Sequence, residues 1–116
     1  MAKEVVEWVR ENVIVAINKF KKNISKKLQI KKLILFGSYA RGDYHEDSDV
    51  DLILVSPAFR RKKFVKRSWG FYKFWHLDPE INYPVDFICY TQEEFKKLKK
   101  CVSLVSMALE EGIEIN

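Results

Sequence analysis

The stretch Phe36-Gly37-Ser38-Tyr39-Ala40-Arg41-Gly42, followed shortly by Asp49-Val50-Asp51, concentrates groups that bind phosphate and groups that bind cations. A helix starting directly after Gly37 would present free backbone N–H groups and the positive end of its dipole, and glycine lets the backbone come close to an anion. Ser38 adds a hydroxyl donor at that point. Asp49 and Asp51, two apart on an extended segment, point their carboxylates to one side and can share one or two hard cations. Magnesium is the expected ion, because it accepts a few carboxylates and completes its shell with water and phosphate oxygens. Each half alone is common, since Ser is an ordinary N-cap and paired acids at a strand end are often merely solvated. Asp86 shifts the balance: it is a third acid, opening an otherwise apolar strand, where an unpaired charge is costly. Three carboxylates converging beside a phosphate-binding turn describe a two-metal site for attack on phosphorus.

The surrounding pattern supplies elements to position these groups. Residues Val6, Val9, Val13, Ile17, Phe20 and Ile24 recur at steps of three and four, which predicts a long amphipathic helix from Ala2 to about Ile24. Val5, Trp8 and Val15 lie off that stripe, so either the buried face is wide or part of it meets another chain. Leu33 to Phe36 reads as a short buried strand ended by Gly37, and Ser48 to Val55 as the strand that returns. Val85 to Tyr90 is a third strand with Asp86 on the face of Ile88 and Tyr90. Thr91-Gln-Glu-Glu94 is a capping box that opens a last helix, with Phe95, Leu98, Val102, Val105 and Leu109 at helical spacing and Gly112 as its stop. Ile113-Glu-Ile115 can add a short edge strand. The order helix, strand, strand, helix, strand, helix predicts an α/β (α+β) sandwich in one domain over 1–116, with the helix at 1–24 and a catalytic core at 33–116.

Composition sets the outer limits. At 116 residues and 47% hydrophobic content the chain can build one core. Lys and Arg number 21 against 16 Asp and Glu, so a basic surface surrounds a locally acidic site. Cys89 and Cys101 have no metal-like or redox-like spacing and are expected as buried, reduced thiols. No cleavable leader and no apolar run of membrane-spanning length is apparent, so the expected location is cytoplasmic. The segment from Arg60 to Trp75 is basic and aromatic; Phe64, Phe71 and Trp75 suggest a helix with one buried edge, weakened at Gly70. That segment is either a surface for RNA or a protein partner or a solvated helix whose rings fill the core. His45 and His76 stand isolated and are expected to be non-catalytic, and Asp43, Glu46 and Asp47 are expected to be solvated loop residues.

Taken together, Gly37-Ser38-x-Ala40-Arg41-Gly42 and Ser48-Asp49-x-Asp51-Leu52 resemble the signature of the polymerase-β-like nucleotidyltransferase superfamily. In length the chain resembles the minimal nucleotidyltransferases paired with HEPN-domain proteins in prokaryotic toxin–antitoxin modules. Val85-Asp86-Phe87-Ile88, Thr91-x-Glu93-Glu94-Phe95 and Glu111-Gly112-Ile113 extend the likeness from Leu33 onward. The resemblance implies a small mixed sheet with helices packed on one side, and magnesium-dependent transfer of a nucleoside monophosphate, expected to be AMP from ATP, to an acceptor hydroxyl. It implies that Asp49, Asp51 and Asp86 are metal ligands, with Asp86 beside the attacking hydroxyl. Gly37 and Ser38 would hold the β- and γ-phosphates. Arg41 would be either a further phosphate ligand or a brace to the acidic loop. The implied partner is a HEPN-domain protein, modified on a tyrosine, which would make this chain an antitoxin. Two alternatives stand beside it: an antitoxin that acts by binding alone, and a transferase for a small hydroxylated compound such as an aminoglycoside.

Overall fold

The structure, a computed structural model, describes residues 3–77 and 81–116, with side chains in the first helix from Glu7 onward. The predicted contributions of Val5 and Val6 and the Asp78-Pro79 turn lie outside the described residues. Helix α1 spans Lys3–Ile24, and its stripe of Val13, Ile17, Phe20 and Ile24 is fully buried. Strand β1 (Lys32–Phe36) leads into one turn of helix, α2 (Ser38–Arg41), and returns as β2 (Val50–Val55). Helix α3 (Phe71–Trp75), strand β3 (Val85–Tyr90), helices α4 (Gln92–Leu98) and α5 (Leu104–Glu111), and strand β4 (Ile113–Glu114) complete the chain.

The four strands form one sheet in the order β3-β2-β1-β4. β1 runs antiparallel to β2 and β4, whereas β2 and β3 are parallel. The mixed sheet and the α/β class therefore stand as expected, and Ile113 and Glu114 supply the edge strand. The helices, however, cover both faces rather than one. Leu33, Leu35, Leu52, Leu54, Phe87 and Cys89 join α1 and α3 in one core. Ile34, Phe36, Ile53, Val55 and Tyr90 join Phe95 of α4 and Val105 and Ala108 of α5 in another. Strands with apolar residues on both faces need cover on both sides, because successive side chains point to opposite faces.

Aromatic side chains bind the first core together. Phe20 stacks on Phe87 at 5.0 Å and meets Trp75 and Phe71 edge-on at 5.7 and 6.4 Å. Trp75 is fully buried and donates its indole N–H to the Tyr83 carbonyl. A polar pin crosses the opposite layer. The guanidinium of Arg67, only 7% exposed, donates to the Lys62 and Cys89 carbonyls and to Glu94. Glu94 also accepts the Thr91 N–H while Thr91 Oγ1 accepts the Glu94 N–H, so the predicted capping box is present.

Four local expectations are corrected. The last helix is two, because Ser103 leaves helical geometry and caps α5 with a second capping box. Cys101 falls in that break and is exposed, although Cys89 is buried. The basic-aromatic segment holds only a short 3₁₀ turn (Phe64–Lys66) and α3; Phe71 and Trp75 are buried but Phe64 is half exposed. Trp8 and Val15 point outward, so the buried face of α1 is not wide. Among the described residues no helix is long and apolar enough to cross a membrane.

Candidate active site

The antiparallel return of β1 into β2 places Phe36 opposite Asp51. The parallel pairing of β2 with β3 places Asp51 directly beside Asp86. Asp49 immediately precedes β2, close enough to Asp86 for its charge to raise the Asp86 carboxyl. The sheet thus gathers all three sequence-predicted acids at one end. Residues 37 and 38, thirteen and twelve positions before β2, arrive there because β1 ends where β2 begins.

The turn is built around Gly37, whose φ of 76° and ψ of −155° belong to a region open essentially to glycine. A Cβ at this position would stand 2.3 Å from Asp51 Oδ2. The turn therefore lies directly against the second carboxylate. Ser38 follows it as the first residue of α2, half-buried. Arg10 of α1 fixes the other end of this short helix by donating to the Tyr39 and Ala40 carbonyls at 3.0 and 3.2 Å.

Electrostatics mark the site as short of positive charge. Burial, followed by the charges of Asp86 and Asp49, pushes the Asp51 carboxyl up to about 6. Burial and the neighbouring Asp49 likewise raise Asp86. Crowded carboxylates that resist ionisation are relieved by a divalent cation, and the donors here are the hard oxygens magnesium accepts. As they are placed, no three His, Cys, Asp or Glu side chains among the described residues are grouped to hold a metal. The chemistry of the donor set, three hard carboxylates, is that of such an ion.

One participant was not singled out from the sequence. Glu111, the last residue of α5, accepts the Gly37 N–H at 3.3 Å and the Arg41 guanidinium at 3.1 and 3.2 Å. A carboxylate thus occupies the donors of the turn. Arg41 also pairs with Asp43 at 3.3 Å, so it braces the acidic loop and the end of α5 together. Asp43, Glu46 and Asp47 are exposed, and His45 Nδ1 accepts the Asp47 N–H within the same loop. The Glu111-Gly112-Ile113 run was a clue, but its approach to Gly37 depends on how α5 packs over β1.

Comparison with known proteins bears on the family and the fold. The family profile described as a nucleotidyltransferase domain matches residues 17–115. Two proteins of Methanocaldococcus jannaschii, each named "Putative protein adenylyltransferase", are similar over shorter stretches. One is 56% identical over 45 residues, covering 37% of this chain and 46% of the relative. The other is 70% identical over 27 residues, covering 23% and 27%. The matched part thus spans less than half the length of these curated relatives. A crystal structure titled as a putative nucleotidyltransferase from Sulfolobus solfataricus superposes with a TM-score of 0.66, covering 94% of this chain and 84% of that one at 18% identity. That likeness concerns the fold.

Proposed function

Because this chain belongs to the nucleotidyltransferase domain family, we propose that it transfers AMP from magnesium-bound ATP to a hydroxyl group, and that the acceptor is a tyrosine of a HEPN-domain partner. The observation that carries the reading is the convergence of Asp49, Asp51 and Asp86 against the Gly37 turn. The names of the Methanocaldococcus relatives support the adenylyl group and a protein acceptor.

The residues divide the work. The Ser38 hydroxyl would meet the phosphates of the donor, and the Gly37 N–H and Arg41 would reach them once Glu111 releases both. Asp49 and Asp51 would hold the cation, and Asp86 would stand on the side of the incoming hydroxyl, where a carboxylate can accept its proton. A divalent ion in this cluster would neutralise phosphate charge and align attacking and leaving oxygens. Most of the rate enhancement then comes from positioning. Antitoxin action would follow if the modified tyrosine serves the partner's activity.

The test combines the protein, magnesium, labelled ATP and the protein encoded by the adjacent gene. Label should appear on a partner tyrosine and vanish with Asp49→Asn and Asp51→Asn. Absence of label on any acceptor, with both variants still neutralising the partner, would sink the catalytic reading and leave binding as the mode of action.

A further inference from the structure

At the opposite end of the sheet from the acids the surface has a different character. No Asp or Glu occurs between Asp51 and Asp78, whereas Lys and Arg cluster from Arg60 to Arg67. Two of these cations have structural partners: Arg67 is buried on Glu94, and Arg60 pairs with Glu93 at the start of α4. Arg61, Lys62, Lys63 and Lys66 line one shallow depression, and among the described residues none of the four makes an ion pair. Beyond the Arg60–Glu93 pair the charge continues along α4, where Lys96, Lys97 and Lys100 line a neighbouring depression.

Aromatic rings stand among these cations. Trp69 is 67% exposed with the Lys66 ammonium 5.6 Å from its ring centre. Phe64 is 51% exposed, seated on Tyr90 at 5.7 Å and flanked by the Arg67 guanidinium. Burying neither ring is costly in water, so their presentation beside unpaired cations points to a ligand with both flat faces and negative charge. Protein interface cores are depleted in lysine, which disfavours a protein as the occupant.

We infer that the surface formed by residues 60–69 and the basic edge of α4 binds single-stranded nucleic acid, with Trp69 and Phe64 stacking on bases and Arg61, Lys62, Lys63 and Lys66 contacting phosphates. The patch begins past the end of β2, separated from Asp51 by roughly 13 Å of strand. It is thus a second site, independent of the transfer chemistry. The pinning of Arg67 on the Lys62 and Cys89 carbonyls holds the segment in shape before any ligand arrives.

Fluorescence anisotropy with labelled oligonucleotides of about 12 residues tests this, using uridine and deoxyuridine single strands and a duplex of equal length. Four phosphate contacts on a single strand predict a salt slope near −3, so raising salt from about 50 to about 200 mM should weaken binding about 50-fold. Trp69→Ala should weaken it about tenfold with the slope unchanged. The double change Lys63→Ala, Lys66→Ala should flatten the slope by about 1.4. All three side chains are exposed or on the rim, and thermal melts should match the parent protein. A preference for either single strand over the duplex supports the inference, and the stronger arm identifies RNA or DNA. No binding at about 100 μM protein and low salt overturns it. Equal binding of the duplex, indifference to Trp69→Ala, or equal competition by an acidic polypeptide also overturns it, the last in favour of a protein surface.

Discussion

Gly37→Ala is the substitution that best separates fold from chemistry in this protein. The backbone at φ 76°, ψ −155° costs a residue with a Cβ about 1–3 kcal/mol. The new methyl would also stand 2.3 Å from Asp51 Oδ2 and 3.2 Å from its Cγ, so the carboxylate must swing away. For a chain of this size 1 kcal/mol corresponds to about 4 °C in melting temperature, giving an expected drop of about 4–12 °C. Nucleotidyl transfer should fall far more, about 100-fold, because a displacement near 1 Å at a reacting group costs on that order. Gly70→Ala is the control: its φ of 95° carries similar strain, yet its Cβ would meet nothing within 4 Å. It should lower the melting temperature without changing transfer. Calorimetric melts and labelled-nucleotide incorporation read both quantities. Equal effects of the two substitutions on transfer would refute the idea that the turn is built against Asp51.

Other expectations follow from particular contacts. Asp86→Asn should reduce transfer much more than ATP binding measured by titration calorimetry, and equal losses would contradict a place on the attacking side. Glu111→Gln keeps acceptors for the Gly37 N–H and Arg41 but removes a negative charge from the Gly37 turn. ATP affinity should rise severalfold; weaker binding would assign Glu111 solely to holding Arg41 in place. Burial alone would raise Glu94, but its hydrogen bonds to Arg67 and the Thr91 amide hold it below the usual carboxylate value. Its stabilisation is therefore full above about pH 4.5 and lost as pH falls through the lowered value. Glu94→Gln should cost about 1–2 kcal/mol at neutral pH in urea unfolding, with the gap closing as pH falls below the usual carboxylate range; a constant gap would exclude this linkage. Phe20→Ala should cost about 3–5 kcal/mol by the same measurement, since its ring joins Phe71, Trp75 and Phe87 in the core.

Much of this molecule was legible in one dimension because its signals are local. The three-and-four spacing from Val13 to Ile24, the Thr91–Glu94 capping box and the apolar strand runs each depend on neighbours within a turn or two. Asp51, Gly37 and Ser38 were also legible, since strand alternation and a glycine-ended strand fix their directions without long-range knowledge; Asp49 was legible by residue type and spacing only, because β2 begins at Val50 and not at Ser48. The helix break at Ser103 was harder to see, because Val102 kept the apolar spacing while Ser103 competed for the backbone as a cap. Two-sided cover of the sheet was written in strands without polar alternation, although spacing alone does not say which helix goes to which face.

What the tertiary structure alone decided concerns meetings between distant residues. Asp86 lies beside Asp51 because β2 and β3 pair in parallel at one particular register, and a slip by one residue would turn the acid to the other face. Glu111 reaches Gly37 across 74 positions because α5 packs on the face of β1 and ends at that turn. Likewise the exposure of Trp69 and Phe64, beside the burial of Phe71 and Trp75, follows from how a mostly irregular segment folds over the sheet. Residue types and local spacing marked out the three acids and the glycine turn of the candidate site. Its fourth carboxylate, and the separate basic surface at the far end, arose only when packing chose which of many compatible faces would meet.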